Sequence, residues 1–473
     1  MRVDEKQDLV VIGGGLAGLA AACRAAELGL KPLVLEATDD ESYLCNSRIT
    51  GGIFHVAMHD IRLSEDEARK NIHNASQGFA RPELVDALAG NAVRSVDWLR
   101  SQGIRFIRGG PTPELGTVLA PPRLQQFGMH WKGRGGDVLL RTLSERLAER
   151  GGTLRRGARV LSIVMEAGCC TGVEVEIDGS VSRLRTGAVV IADGGFQANQ
   201  DMVGQYISPA PEKLFQRNAG TGRGDGIRIA AAVGAKLVGM DKFYGHVLHR
   251  DVINNERLWP HPMIDSMAVS GVVVNGGGQR VFDEGLGGVS IANMIAKLED
   301  PHGCTVICDA AAWRGPAREA VMGPNPNLEK AGGKVITADS IEDLAAKTGL
   351  PATALGDTVR HYNEAVARGT LNSLDPPRTS NRFRPLPIAE VPLLAVPVCA
   401  GITYSMGGIA IDGAARALDA NDQPIPGLYA AGASTGGLEG GPNTAYTGGL
   451  SKAVVFGLLA GEAAARFGGN QPR

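Results

Sequence analysis

Apolar positions at the start of the chain form a short continuous run, Leu9-Val10-Val11-Ile12, which leads into Gly13-Gly14-Gly15-Leu16-Ala17-Gly18. An alanine-rich stretch continues to about Gly29, and a second run, Leu33-Val34-Leu35, ends in Glu36. Short apolar runs bounded by glycine predict buried strands, and the stretch between them has helical length. Residues 64–103 predict two helices. Ser64-Glu65-Asp66-Glu67 is a capping box for the first, and Arg81-Pro82-Glu83-Leu84 begins the second. Gly135-Gly136-Asp137 opens a further helix to about Arg150. Alternation over 173–177 before Asp178-Gly179 predicts a hairpin, and Ala188-Val189-Val190-Ile191-Ala192 predicts a buried strand ending at Asp193-Gly194-Gly195. A glycine-rich turn over 220–226 opens an alanine-rich helix. Leu428-Tyr429-Ala430-Ala431-Gly432 repeats the strand-into-glycine pattern, and Gly448-Gly449-Leu450 starts a terminal helix to about Arg466.

Between these parts the pattern changes. From 237 to 384 aromatics, histidines and prolines become more frequent, and strands mix with helical stretches over 341–347 and 357–367. The expected organisation is an α/β dinucleotide-binding domain over 1–236, an inserted capping or substrate domain over 237–384, and a return to the first domain over 385–473.

The opening pattern carries chemistry. Gly13 permits a tight turn, Gly15 lets backbone approach a pyrophosphate, and Gly18 lets helix pack on strand. Leu16 and Ala17 begin the helix, whose free N–H groups and positive dipole end suit the same pyrophosphate. Glu36, at the tip of the second strand, can accept both hydroxyls of an adenosine ribose.

Composition narrows the picture. The 473 residues carry a net charge of −2 with both signs interspersed, so neither nucleic acid nor membrane is an expected partner. The 65 glycines, about twice the usual share, cluster in turns between apolar runs. The seven cysteines (Cys23, Cys45, Cys169, Cys170, Cys304, Cys308 and Cys399) are scattered without paired spacing, which predicts no disulfide framework and no metal site. The start shows no signal-like segment and no apolar run approaches a membrane span, so the expected compartment is the cytoplasm.

These motifs together resemble the flavoprotein subunits of fumarate reductase and succinate dehydrogenase. That family includes fumarate and urocanate reductases, tricarballylate dehydrogenase and 3-ketosteroid Δ1-dehydrogenases. The resemblance rests on Gly13 to Gly18 with Glu36, the loop Asn46-Ser47-Arg48-Ile49-Thr50-Gly51-Gly52, the strand ending at Asp193-Gly194-Gly195, and the 220–226 turn. It continues through Gly271-Val272-Val273-Val274-Asn275, Gln279-Arg280-Val281-Phe282-Asp283-Glu284, Met406-Gly407-Gly408-Ile409 and the 428–437 and 448–449 segments. It implies a Rossmann-like FAD-binding domain (GR2-type) interrupted by an α+β cap. FAD would be held non-covalently rather than through Cys45, by the opening motif with Ala37, Asn46, Ser47, Arg48, Thr50, Gly51, Gly52, Ala192, Asp193, Gly194, Gly432, Gly449 and Leu450. The shared chemistry is hydride exchange between a substrate carbon and flavin N5, coupled to proton transfer at the neighbouring carbon.

The chain departs from fumarate reductase at its carboxylate-directed residues. Gly288 stands where the family has an arginine, Thr403-Tyr404-Ser405 replaces paired histidines, and Tyr446 replaces another arginine. Two buried carboxylates would then lack their usual partners, which argues against fumarate as substrate. Tyr446-Thr447-Gly448-Gly449 instead resembles a segment of ketosteroid dehydrogenases and tricarballylate dehydrogenase, in which a tyrosine holds the substrate carbonyl. The expectation is an FAD-dependent dehydrogenase that desaturates a CH–CH bond next to a carbonyl or carboxyl group of a small ketone or acid. It would pass electrons to oxygen, a quinone or a carrier protein. Tyr446 would polarise the carbonyl, and Tyr404 or a cap residue would move the proton, provided that neighbours lower a tyrosine pKa. Cap candidates are Tyr244 and His246, which share a strand face; His249 lies on the other. Arg280 is expected to orient the cap through Asp283 or Glu284. An enoate reductase of the urocanate type and a non-catalytic flavin-binding subunit are the alternatives.

Overall fold

The computed structural model describes residues 6–123, 128–321, 323–380 and 382–469. Its organising layer is a six-stranded sheet. In spatial order the strands are Arg416–Leu418, Pro424–Ala430, Val189–Ile191, Leu9–Ile12, Pro32–Glu36 and Thr153–Arg156. All pairings are parallel except the antiparallel edge strand Arg416–Leu418. The predicted runs are central strands: Leu9, Val10, Val11, Val189, Val190 and Ile191 are fully buried, as the middle of a sheet covered on both faces requires.

The opening helix, Leu16–Glu27, packs against the terminal helix, Gly449–Gly469, and small residues set their distance. A Cβ on Gly457 would stand 2.5 Å from the carbonyl of Ala17, and one on Gly461 would stand 2.4 Å from that of Ala21. Gly18 serves the same purpose toward the turn before it, because its Cβ would lie 2.0 Å from the carbonyl of Gly13. The capping box forms at Ser64 and Glu67, and Pro82 occupies the first turn of the helix Pro82–Ser101. The hairpin forms between Cys169–Ile177 and Ser180–Arg185, with Asp178 and Gly179 both at positive φ in its turn.

The inserted sheet is built on one long strand, Leu393–Ser405, which pairs with Phe215–Gln216, Phe243–His249, Cys304–Asp309 and Ile336–Ala338. Val272–Val274 extends it on the outside of Cys304–Asp309. Sheet pairing therefore runs wider than the composition shift at 237–384: a strand before 237 and a strand after 384 both belong to it. The physical reason is burial, since Leu394 to Val396 and Val398 to Ile402 sit at the centre of this sheet and only then does the chain cross back. Arg280 pairs with Glu284 rather than Asp283, with Glu284 fully buried and Arg280 nearly so. Cys304 and Cys308 are buried strand residues, and no cluster of metal-ligating side chains occurs among the described residues. No described helix is long and apolar enough to cross a membrane.

Candidate active site

A cavity of about 620 Å³ runs from the tip of the strand Pro32–Glu36, over the N-terminus of the opening helix, to the inserted sheet. It lies at the carboxyl ends of the parallel strands, where open α/β sheets bind their ligands. Its first part is made largely of backbone. Gly13, Gly15, Leu16, Ala17, Glu36, Ala37, Asn46, Ser47, Thr50, Gly51, Gly52, Ala192, Asp193, Gly194, Gly432, Gly449 and Leu450 all line it.

Local bonds hold this strip open. The carboxylate of Glu36 accepts from the N–H of Gly14 and of Thr38, each at 3.0 Å, which holds the acid beside the glycine turn. Ser47 Oγ accepts from Leu16 N at 3.1 Å, so the 46–52 loop closes over the helix start. Asn46 ties the loop to the inserted part: Nδ2 donates to the Thr403 carbonyl at 2.8 Å and Oδ1 accepts from Ala219 N at 2.9 Å. Asp193 accepts from Gly226 N at 2.7 Å, and burial pushes its carboxyl up to about 6. A Cβ at Gly194 or Gly220 would meet nothing within 4 Å, so ligand atoms can lie directly on the backbone there. Neither the opening nor the terminal helix has an acidic residue in its first turn. Both positive dipole ends are thus left for a ligand, one at the pyrophosphate position and one beside the tyrosines. The strip fits FAD in shape and in donor chemistry.

Two residues expected at the cofactor do not line the cavity. Gly18 packs the helix onto the strand, as its spacing implied. Arg48 is a correction, because its buried guanidinium turns away from the strip, pairs with Asp137, and donates through Nε to the Tyr43 carbonyl at 2.8 Å. A buried cation requires an anion, and Asp137 in the first turn of the helix Gly135–Glu149 supplies it. Arg48 braces the loop from behind.

The far end of the cavity is made of side chains. Tyr244 and Tyr446 stack with ring centroids 3.8 Å apart, and Tyr404 lies 5.5 Å from Tyr244. Tyr244 and His246 come from the strand Phe243–His249, Tyr404 from the long strand, and Tyr446 from the turn before the terminal helix. His246 Nε2 meets the hydroxyl of Tyr244 at 2.9 Å, and Nδ1 meets Asp265 Oδ2 at 2.5 Å. Burial pushes the imidazole of His246 below its ordinary range against the pull of Asp265. His249 points elsewhere, to the Lys334 carbonyl at 3.0 Å. Tyr446 Oη accepts from Gly449 N at 3.2 Å, which leaves its own proton for another oxygen.

Sequence reasoning missed a buried cluster behind the tyrosines. Glu439, fully buried, accepts from Tyr404 Oη at 2.9 Å, Thr447 N at 3.0 Å and Lys452 Nζ at 3.0 Å. Burial opposes its ionisation, but Lys452 and these donors outweigh it and hold the carboxyl below its usual range. The signal in the sequence was a lone charged residue, Lys452, on a helix otherwise uncharged over 450–460. Burial, and then Glu439, push the hydroxyl of Tyr404 well above its ordinary value; burial and Tyr244 do the same to Tyr446. The expected lowering of a tyrosine pKa is therefore absent at both, and they stay protonated as donors. Asp265 was also missed, and it occupies the space beside Gly288: a Cβ there would meet Asp265 Cγ at 2.2 Å. Trp259, Pro260 and His261 line the cavity as part of a turn.

Residues 8–448 match the model of a family described as FAD binding domain. The chain is 28% identical over 472 residues to an NADH:fumarate oxidoreductase of Klebsiella pneumoniae, covering 97% of this chain and 48% of that protein. It is 28% identical to an NADH:acrylate oxidoreductase of Vibrio harveyi over 86% of this chain and 39% of that one, so it spans less than half of each. A 4-oxocyclohexanecarboxylate 2-dehydrogenase of Sinomonas cyclohexanicum is 26% identical, with 96% of this chain and 92% of that protein covered. Among solved structures, a 3-ketosteroid-Δ4-(5α)-dehydrogenase from Rhodococcus jostii RHA1 superposes with a TM-score of 0.74 at 23% identity, covering 98% of both chains. The open form of a flavocytochrome c3 fumarate reductase gives 0.68 at 25% identity, over 99% of this chain and 79% of that one.

Proposed function

Because the chain belongs to the FAD binding domain family, and its cavity is an FAD site at one end and a tyrosine cluster at the other, we propose that it is a dehydrogenase. It desaturates a CH–CH bond next to a carbonyl or carboxyl group. The observation that carries this reading is the line Asp265–His246–Tyr244, stacked on Tyr446 inside the cavity.

The carbonyl oxygen of the substrate accepts from the Tyr446 hydroxyl, which Gly449 N–H polarises from behind. Donors aimed at an oxygen that gains charge stabilise the enolate formed when the α proton leaves. Tyr244 Oη takes that proton as its own passes to His246 Nε2, and Asp265 steadies the imidazolium through Nδ1. Tyr404, held protonated by Glu439, adds a second donor beside the ring stack. FAD, when bound, supplies the acceptor for the hydride that leaves the β carbon. His246 and Tyr404 are buried and Tyr244 and Tyr446 half-buried, which limits water at the reacting carbons.

This reading treats 237–384 as the cap and the remainder as the cofactor domain. It takes a small ketone or acid as substrate, a quinone, oxygen or carrier protein as electron acceptor, and the cytoplasm as compartment. The departure of Tyr404, Tyr446 and Gly288 from the carboxylate-binding pattern supports desaturation over fumarate reduction. The oxidoreductases above support an enoate reductase as the second reading, with Tyr244 returning the proton instead of taking it. Anaerobic mixing of the FAD-loaded protein with cyclic ketones and saturated acids should bleach the flavin. Bleaching by none of them, with reoxidation of reduced protein by enoates, would establish the reductase instead.

A further inference from the structure

One corner of the cavity, next to the tyrosines, holds two arginines with no carboxylate in ion-pair contact among the described residues. Arg217 follows the strand Phe215–Gln216 and lines the cavity. Its guanidinium donates to Thr403 Oγ at 3.0 Å and to the Pro260 carbonyl at 3.2 Å, both neutral acceptors, while Nε is buried without an acceptor among the described residues. Arg123 also lines the cavity and is buried; it donates to the carbonyls of Ile49, Gly128 and His130. Neither arginine forms an ion pair among the described residues. His261 lines the same corner, and its Nδ1 is buried without a partner among the described residues. The nearby carboxylate, Asp265, is already engaged by His246 and by Val247 N at 2.8 Å.

Burial pushes the Arg217 and Arg123 guanidinium groups below their ordinary range, and Arg217 adds to the effect on Arg123, which falls to about 10. Burial and the neighbouring cations hold His261 well below its usual value, so it is a neutral donor or acceptor. A desolvated cation with unused donors is costly unless something supplies the missing charge and acceptors. A bound anion would supply both.

We propose that this corner seats a carboxylate carried by the substrate, with Arg217 as its ionic partner and His261 as a second donor. The substrate is then a carboxylic acid whose reacting CH–CH bond lies between that carboxylate and the oxygen held at Tyr446. A carboxylate fits better than a phosphate, because two of the guanidinium nitrogens are already committed to Thr403 and Pro260. Arg217 supplies one formal charge, and Arg123 is taken up by the carbonyls of Ile49, Gly128 and His130, so a monoanion is matched better than a dianion. The assignment rests on the dehydrogenase reading for the geometry of the reaction, but its test separates the two.

The probes are 4-oxocyclohexanecarboxylate, its neutral methyl ester and cyclohexanone, titrated into FAD-loaded protein while the flavin spectrum is followed. In the wild type the acid should bind about 10- to 100-fold more tightly than the ester. Arg217→Met should bring that ratio close to one, and Arg217→Lys should keep part of it. Equal binding of acid and ester by the wild type overturns the carboxylate site, and that comparison needs no variant to fold. An unchanged ratio in Arg217→Met, no spectral response to the acid, or tighter competition by inorganic phosphate overturns it too. Acid-selective binding without bleaching leaves the site standing and sinks desaturation by this panel. Bleaching by the ester or cyclohexanone with no preference for the acid does the reverse.

Discussion

The two ends of the cavity are built from different materials. At the nucleotide end the ligand-facing surface is largely glycine backbone, the start of the opening helix and two acids, Glu36 and Asp193, and each chain segment that forms it is only a few residues long. At the inserted end the surface is Tyr244, His246, Tyr404, Tyr446 and Arg217, drawn from positions as far apart as 217 and 446 and held by buried charges behind them. Backbone makes a site that many sequences can share, so that end accounts for the cofactor. Side chains make a site that changes with each substitution, so on the proposed reading the other end accounts for the substrate.

The sharpest way to break this contrast is at the first end. Gly18→Val would drive a side chain into the Gly13 carbonyl, which a Cβ alone would meet at 2.0 Å, and should cost at least about 3 kcal/mol. The expected result is protein without flavin absorbance and with a lowered unfolding temperature. A yellow, stable variant would show that the close packing of the opening helix on its turn does not control the cofactor.

At the second end, His246→Ala should keep FAD and lose about 10²–10⁴-fold in the rate of flavin bleaching. Retention of the wild-type rate would remove the relay from the mechanism. The pH profile sharpens the same point. The relay needs a neutral imidazole, and His246 lies below its ordinary value, so activity should fall only as pH drops below about 6.5. Asp265 raises the His246 pKa, so Asp265→Asn should lower the rate and move the acid limb to still lower pH. A limb that moves upward would be incompatible with this arrangement.

Glu439→Gln would leave Lys452 buried without its carboxylate, and should cost about 3–5 kcal/mol in unfolding measurements. The same variant gives the Tyr404 hydroxyl a weaker, neutral acceptor, so a change in substrate affinity should accompany the lost stability. The smallest effect is expected at Cys45. It lines the cavity, but burial pushes its thiol up to about 11, which disfavours the reactive thiolate. Cys45→Ser should bind FAD as the wild type does, and acid precipitation of the wild type should release all of its flavin into the supernatant.

Much of the first end was legible in the residues. The order of strand, glycine turn, helix, strand and acid requires only local periodicity and glycine stereochemistry. The hairpin at Asp178-Gly179, the capping box at Ser64 and the proline start at Pro82 are equally local. The errors came where a residue's partner is distant in sequence. Arg48 looked like a phosphate ligand because its loop is at the cofactor, yet its partner Asp137 is 89 positions away. The strand Leu393–Ser405 pairs with strands from before and within 237–384, and an apolar run does not say which sheet it joins.

The sequence by itself determined the cofactor layer, the presence of an insertion, and Tyr404 and Tyr446 as candidate site residues. Those features depend on contacts within about one supersecondary unit, which spacing encodes. The tertiary structure alone decided that His246 meets both Tyr244 and Asp265, that Glu439 and Lys452 lie behind Tyr404, and that Arg217 stands in a corner without an ion-pair partner among the described residues. Each of these is an electrostatic feature set by tertiary packing. Its energy depends on burial and on distances of a few ångströms between segments far apart in the chain, and spacing along the chain does not carry that information.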